Sequence, residues 1–269
     1  MIKTLFACIK ILVFVLLCLI TIPLQLLTLV FLSKTRFFYL TSRFFYGTAC
    51  RLFGIRMRTR GDITRKQNTI FVGNHLSYID IAVLGSVLNA TFISKAEVKN
   101  WPVLGILATC AKTVFISRNR QSVEKGIEDI AQTLDSGLSL ILFPEGTSTK
   151  GETVLPFKSS FFQIFLNQKL KNKIAVQPFT LSIQRVDGRD VETLDDHDLY
   201  AWYGEMTLGQ HIWTLARTKA TEILVTFHPA RPANQYDHRK RFAEDCHRAV
   251  LGGLVNDRPK SLDFTGKAA

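Results

Sequence analysis

The sequence predicts an α/β fold: a mostly central sheet flanked by helices, preceded by an N-terminal membrane-embedded helical segment. Three observations predict it. From residue 55 onward, short β-rich apolar runs alternate with helical patterns, as in layered α/β domains. Two polar, turn-forming segments directly follow two of those runs, where open α/β sheets hold ligands. Between Lys10 and Lys34 lie 23 residues without a formal charge, enough at about 1.5 Å per residue to cross a hydrocarbon core of about 30 Å.

In chain order, the first element is that apolar helix. Pro23 sits inside it and Gln25 follows, so a kink or a re-entrant hairpin is also allowed. A cleaved signal peptide fits less well, because the run is long and no small-x-small site follows Ser33. Lys34 to Arg60 contains seven basic residues and no acidic one. The positive-inside rule places this side, and with it the domain that follows, in the cytoplasm. At about 100° per residue, Arg36, Arg43, Gly47 and Arg51 share one helix face. Phe37, Phe38, Tyr39, Phe44, Phe45, Tyr46 and Phe53 cover the rest. That pattern suits a helix in the headgroup layer; packing back on the first helix as a hairpin is the alternative, and the two are compatible.

Strands are predicted at 55–59, 69–73, 91–94, 113–117, 139–143, 174–183 and 222–227, with helices at 77–88, 103–111, 122–134, 159–168 and 236–254. Residues 185–198, with five Asp, one Glu and His197, read as an exposed polar loop. The expected organisation is a membrane segment over 1–54, an α/β domain over 55–258 and a mobile tail over 259–269.

The net charge is +12. The basic excess lies beside the membrane segment and no aromatic-basic nucleic-acid motif is present, so the expected partners are anionic membrane lipid and acidic substrates, not nucleic acid. The five cysteines are odd in number and lack metal spacing, which predicts free thiols in a reducing compartment. The histidines show no metal-ligand spacing, and no metal is expected.

Two segments carry chemistry. Asn74-His75-Leu76-Ser77-Tyr78-Ile79-Asp80 follows the run Thr69–Val72, and Phe143-Pro144-Glu145-Gly146-Thr147 follows Leu138–Leu142. On one helix, positions i and i+5 lie about 140° apart. His75 and Asp80 therefore meet only if His75 is in the loop leaving a strand and Asp80 in the first turn of the next helix. Ser77 and Asp80 form an S-x-x-D helix start. Asp80 can then hold one imidazole nitrogen and leave the other as a base; the plain alternative is a capping carboxylate beside a turn histidine. In the second segment Gly146 can take φ > 0, exposing backbone N–H groups to an anion.

These two segments, with Val114-Phe115-Ile116-Ser117-Arg118 and Val176-Gln177-Pro178, resemble the four ordered blocks of the glycerophospholipid acyltransferases, notably bacterial 1-acyl-glycerol-3-phosphate acyltransferases. The resemblance spans about residues 55–230. It implies that His75 is the general base, that Asp80 orients it, and that the acceptor hydroxyl attacks an acyl thioester directly. Arg118, Glu145, Gly146 and Thr147 would bind the acceptor's head group, with Lys158 or Lys150 as further contacts. The co-substrate would be acyl-CoA or an acyl-acyl carrier protein, with no other cofactor. The expected reaction makes phosphatidic acid from 1-acyl-glycerol-3-phosphate. One departure matters: many members carry Arg directly after the Gly-Thr, where this chain has Ser148. Thr147–Gly151 and Ala201–Met206 look like a bacterial subgroup that includes lyso-ornithine-lipid acyltransferases, so that acceptor is the alternative.

Two other classes compete. Ser122-Val123-Glu124-Lys125 matches S-x-x-K of serine hydrolases, but no G-x-S-x-G elbow is present. A non-catalytic membrane adaptor would explain the charge but not the paired segments.

Overall fold

The computed structural model describes residues 2–31, 37–64, 68–101, 104–116 and 120–262. Arg36, Arg118, the side chains of Phe37–Tyr39 and Ser122, and the segment beyond Leu262 lie outside that description.

The strands are β1 (Ile55–Arg60), β2 (Thr69–Gly73), β3 (Ala90–Lys95), β4 (Val114–Ile116), β5 (Ser139–Leu142), β6 (Ala175–Val186), β7 (Arg189–Asp190), β8 (Thr221–Phe227) and β9 (Arg231–Pro232). The helices are α1 (Ile2–Phe31), α2 (Phe37–Leu52), α3 (Ile79–Val87), α4 (Leu104–Cys110), α5 (Arg120–Asp135), α6 (Ser159–Phe165), α7 (Leu208–Arg217) and α8 (Arg239–Asp257). The sheet runs β1-β8-β6-β2-β5-β3-β4, with β7 and β9 paired to β6. It is mixed: β6, β2, β5, β3 and β4 are parallel, whereas β8 runs antiparallel to β6.

Sequence explains this order. β2 is Thr-Ile-Phe-Val-Gly and every residue is buried, as a central parallel strand covered on both faces requires. Its alternation divides the core. Phe71 packs with Phe92, Phe179, Leu181 and Val225 on the face covered by α2 and α3. Ile70 and Val72 pack with Leu140, Leu142, Phe162 and Phe242 on the opposite face, under α5, α6 and α8. Gly73 ends the strand against Phe179: a Cβ there would lie 2.4 Å from that ring.

The neighbourhood of β2 and β5 positions the site. Val72 is in register with Leu142, so the loops leaving the two strands emerge side by side.

α1 continues through Pro23 to Phe31 as one helix and is long and apolar enough to cross a membrane. It also lies against the body. Lys10 Nζ donates to the Thr218 carbonyl at 2.8 Å, and Gln25 Nε2 to the Cys110 carbonyl at 3.3 Å. The helical hairpin expected as an alternative forms: Phe14 meets Phe45 and, edge-on, Phe53. Among the described residues, part of the aromatic coat is thus turned inward. Phe53 is buried and the Tyr46 ring lies over Gly85, while Phe44 and Leu40 are exposed.

Three expectations are corrected. The Asp-rich segment is not simply solvated: Asp196 and His197 are buried in a 3₁₀ helix (Leu194–Leu199). Asp196 accepts from the N–H groups of Glu192 and Thr193 and pairs with Arg189 at 2.6 Å, which satisfies a charge that composition alone assigns to water. α7 occupies a stretch with no predicted element. The start of the expected mobile tail is packed, with Leu262 in the core and Ser261 Oγ donating to the Val191 carbonyl at 2.7 Å.

Candidate active site

The loop leaving β2 is built around Asn74. Its side-chain amide donates to the Leu181 carbonyl (2.9 Å) and accepts from the Leu181 N–H (2.7 Å). Gly73 is the last β2 residue paired with β6, opposite Phe179. Asn74 therefore continues the ladder with its side chain while its backbone leaves the sheet. That exit brings His75 over the end of the sheet.

Asp80, fully buried in the first turn of α3, accepts four hydrogen bonds. Its Oδ2 takes the Leu76 N–H (2.7 Å), the Ser77 N–H (3.0 Å) and His75 Nδ1 (2.8 Å); its Oδ1 takes the Tyr200 hydroxyl (2.8 Å). Ser77 Oγ accepts from the Ile79 N–H at 3.3 Å. The capping and orienting readings of Asp80 therefore describe one arrangement: the carboxylate starts the helix and holds the imidazole. A carboxylate only accepts, so Nδ1 carries the proton and Nε2 keeps its lone pair. The imidazole stacks on Phe143, centroids 4.1 Å apart at 13°, which fixes its plane.

Glu145 sits beneath this loop, 2% exposed. Its Oε1 accepts from the His75 N–H and its Oε2 from the Leu155 N–H, both at 2.7 Å. Both oxygens are occupied by backbone, so the structure makes it a bracket for His75 where the resemblance implied a head-group ligand. Burial pushes its carboxyl up to about 7, against the two N–H bonds.

Gly146 has φ +71°, as expected, but its N–H donates to the Phe143 carbonyl at 3.0 Å, closing the turn. Of the turn's backbone N–H groups, that of Gly146 is therefore committed within the turn. Lys158 reaches this turn instead: a Cβ on Gly146 would lie 2.5 Å from Lys158 Nζ. Lys150 points elsewhere, 2.8 Å from Asp195 and 3.5 Å from Asp198. Asp195 holds it above the usual lysine range. Thr147 and Ser148 face the cavity. Arg118 lies outside the described residues.

The cavity is about 590 Å³, within the range of ligand sites. It is lined by His75, Thr147, Ser148 and Trp202, and by Ile81 and Ala82 of α3, Leu107 of α4, and Phe14, Ile22, Gln25 and Phe45 of the N-terminal hairpin. The N-terminal segment is thus part of the site as well as a candidate anchor.

Sequence reasoning missed the segment 199–206 as part of the support of the His75 loop. Trp202 N–H donates to the Leu76 carbonyl (2.9 Å), and Ser148 Oγ donates to the Trp202 carbonyl (2.5 Å). The Trp202 ring meets Tyr78 edge-on. Tyr200 is fully buried; burial first, then the Asp80 charge, raises its phenol well above the usual range and keeps it a donor. The aromatic run Tyr200-Ala201-Trp202-Tyr203 was the available signal, but nothing in it points to Asp80, 120 residues earlier.

Comparisons with known proteins bear on the family and the fold. A family model described as Acyltransferase matches residues 54–182. A lyso-ornithine lipid O-acyltransferase of Brucella abortus is 34% identical, over 76% of this chain and 78% of that protein. One from Rhodobacter capsulatus is 33% identical over 68% of this chain, and the match spans 64% of that protein's length. The crystal structure of a 1-acyl-sn-glycerophosphate (LPA) acyltransferase, PlsC, from Thermotoga maritima superposes with TM-score 0.67 and 18% identity, covering 94% of this chain and 97% of that one. Its likeness establishes the fold, a mixed central sheet flanked by helices. With these four blocks in order and relatives matched over most of their length, the chain belongs to the acyltransferase family.

Proposed function

We propose that this protein transfers a fatty acyl chain from an acyl thioester to the free hydroxyl of a lysolipid, with His75 as general base and Asp80 orienting it. The observation that carries the reading is the buried Asp80 carboxylate, 2.8 Å from the Nδ1 of His75, which lines a mostly apolar cavity. Nε2 takes the proton from the acceptor hydroxyl as its oxygen attacks the thioester carbonyl. The tetrahedral intermediate collapses with loss of the thiolate, and the imidazolium returns its proton to that sulfur. A positioned base contributes roughly 10²- to 10⁴-fold. The apolar walls hold the acyl chain, and Thr147, Gly146 and Lys158 form the head-group end. The donor is acyl-CoA or an acyl-acyl carrier protein.

The exposed apolar face of α1, including Leu12, Leu16, Leu19 and Leu27, meets lipid. Lys10 and Gln25 tie the helix to the body at two places, so it anchors the catalytic domain against the membrane surface. A bacterial-type inner membrane with the domain on its cytoplasmic side fits the basic segment that follows.

Lysophosphatidic acid is the acceptor suggested by the four blocks and by the named activity of the structural neighbour. A specific observation favours lyso-ornithine lipid as a second reading. Ser148, where many family members carry Arg, gives its hydroxyl to Trp202, and the Brucella and Rhodobacter relatives are named for that acceptor. Membranes containing the chain, given a radiolabelled acyl thioester and each lysolipid separately, test both. Label in phosphatidic acid alone supports the first and label in ornithine lipid alone the second. Label in neither refutes acyl transfer to these lysolipids.

A further inference from the structure

We propose that Tyr200, outside all four sequence blocks, is a positioning residue that sets the rotation of the Asp80 carboxylate and, through it, the aim of His75. The inference rests on the His75–Asp80 reading above and goes beyond it. Three donors converge on Asp80 Oδ2, whereas the Tyr200 hydroxyl is the single donor among the described residues with a hydrogen bond to Oδ1. The last torsion of a carboxylate is soft, and turning it moves Oδ2 off the Nδ1–H. The Oδ1–Tyr200 bond adds the hold on the second oxygen that the three Oδ2 donors do not supply, and so limits that rotation.

Tyr200 is itself held from three sides. Its N–H donates to the His197 carbonyl at 2.9 Å, and its ring is fully buried in the cluster that contains Phe71, Leu76 and Val83. Two residues later Trp202 bonds both loops of the site, Leu76 on one and Ser148 on the other. A strap from the far end of β6 thus crosses the catalytic loop, and its phenol is the part that reaches the catalytic pair. A buried phenol of this kind needs a polar partner, and the partner it has is the group that orients the base.

The test uses the full-length chain in membranes. Tyr200→Phe keeps ring and volume and removes the hydroxyl. The expected result is a fall in kcat of about 10- to 100-fold, the size of one lost hydrogen bond to a charged group, with KM for thioester and lysolipid within about twofold. In an Asp80→Ala background, read by single turnover, Tyr200→Phe has no further effect, because the partner is gone. Tyr236→Phe, across the sheet, leaves kcat unchanged. Wild-type kcat in Tyr200→Phe, or an equal loss in the Asp80→Ala background, would overturn the proposal. If Tyr200→Phe does not fold, Ser148→Ala loosens the same strap from the other side and is expected to lower kcat at least about threefold; an unchanged kcat there overturns the role of the strap. A wild type without acyl transfer would instead sink the functional reading. A wild type that is active, a dead His75→Ala and an unaffected Tyr200→Phe would sink only this inference.

Discussion

Asn74 bears the departure of the chain from the sheet, and Asn74→Ala tests how the site is built. The residue is 1% exposed and its amide satisfies both the N–H and the C=O of Leu181, just past the last β2 residue paired with β6. Alanine leaves both backbone groups buried without that partner. Each orphaned group costs about 1–3 kcal/mol, so the expected loss is about 4 kcal/mol, a large share of the roughly 5–15 kcal/mol typical of a domain. Asn74→Asp keeps the acceptor for the Leu181 N–H and turns a second acceptor toward its carbonyl, so about half that loss is expected. Urea unfolding in mild detergent, followed by tryptophan fluorescence, reads the difference. Hydrogen exchange at the Leu181 amide reads the cause, because that proton loses protection while the paired residues of β6 keep theirs. Stability within about 0.5 kcal/mol of wild type, with Leu181 still protected, would refute the reasoning.

Three further outcomes follow from the geometry. Glu145 has an ordinary carboxyl value of 4.5 and about 7 in the fold. The folded state therefore holds a proton that the unfolded chain has released between these values, and unfolding free energy falls by about 3 kcal/mol as pH rises from 4.5 to 7. Glu145→Gln removes that component of the pH slope while acceptor KM stays within about twofold; an unchanged slope, or a large rise in KM, contradicts the bracket role. Gly146→Ala puts a Cβ at φ +71° and 2.5 Å from Lys158 Nζ, so it is expected to cost about 1–2 kcal/mol and, by displacing Lys158, to raise acceptor KM with little change in kcat; an unchanged KM would remove Lys158 from the head-group end. Ala82→Phe fills part of the cavity that Ala82 lines and is expected to shift preference toward shorter acyl chains in competition assays; an unchanged preference would mean that the chain lies elsewhere.

The fold class was legible because its signals are local. The runs 69–73 and 139–143 gave central strands nearly to the residue, since buried parallel strands need uninterrupted apolar sequence. His75 and Asp80 were legible for the same reason: five positions apart, they meet through one loop and one helix start. What stayed hidden depends on distance or on satisfied charge. Glu145 looked like a site residue, yet only the fold shows both of its oxygens on backbone N–H groups 10 and 70 residues away. Tyr200 reaches Asp80 across 120 residues. Residues 185–198 looked solvated because composition does not reveal that Asp196 is paired and capped. α7 was missed because polar residues interrupt its apolar pattern, and the residues it buries are His211, Leu215 and Ala216.

The central claim is that His75 acts as the base. The direct measurement compares wild type and His75→Ala in membranes, each given a radiolabelled acyl thioester with lysophosphatidic acid or lyso-ornithine lipid. His75 is one-fifth exposed and its imidazole contacts Asp80 and Phe143, so thermal unfolding is used to check that the variant folds. The account predicts at least about a 10²-fold loss of acyl transfer to whichever lysolipid the wild type uses. Equal transfer by the folded variant would contradict it.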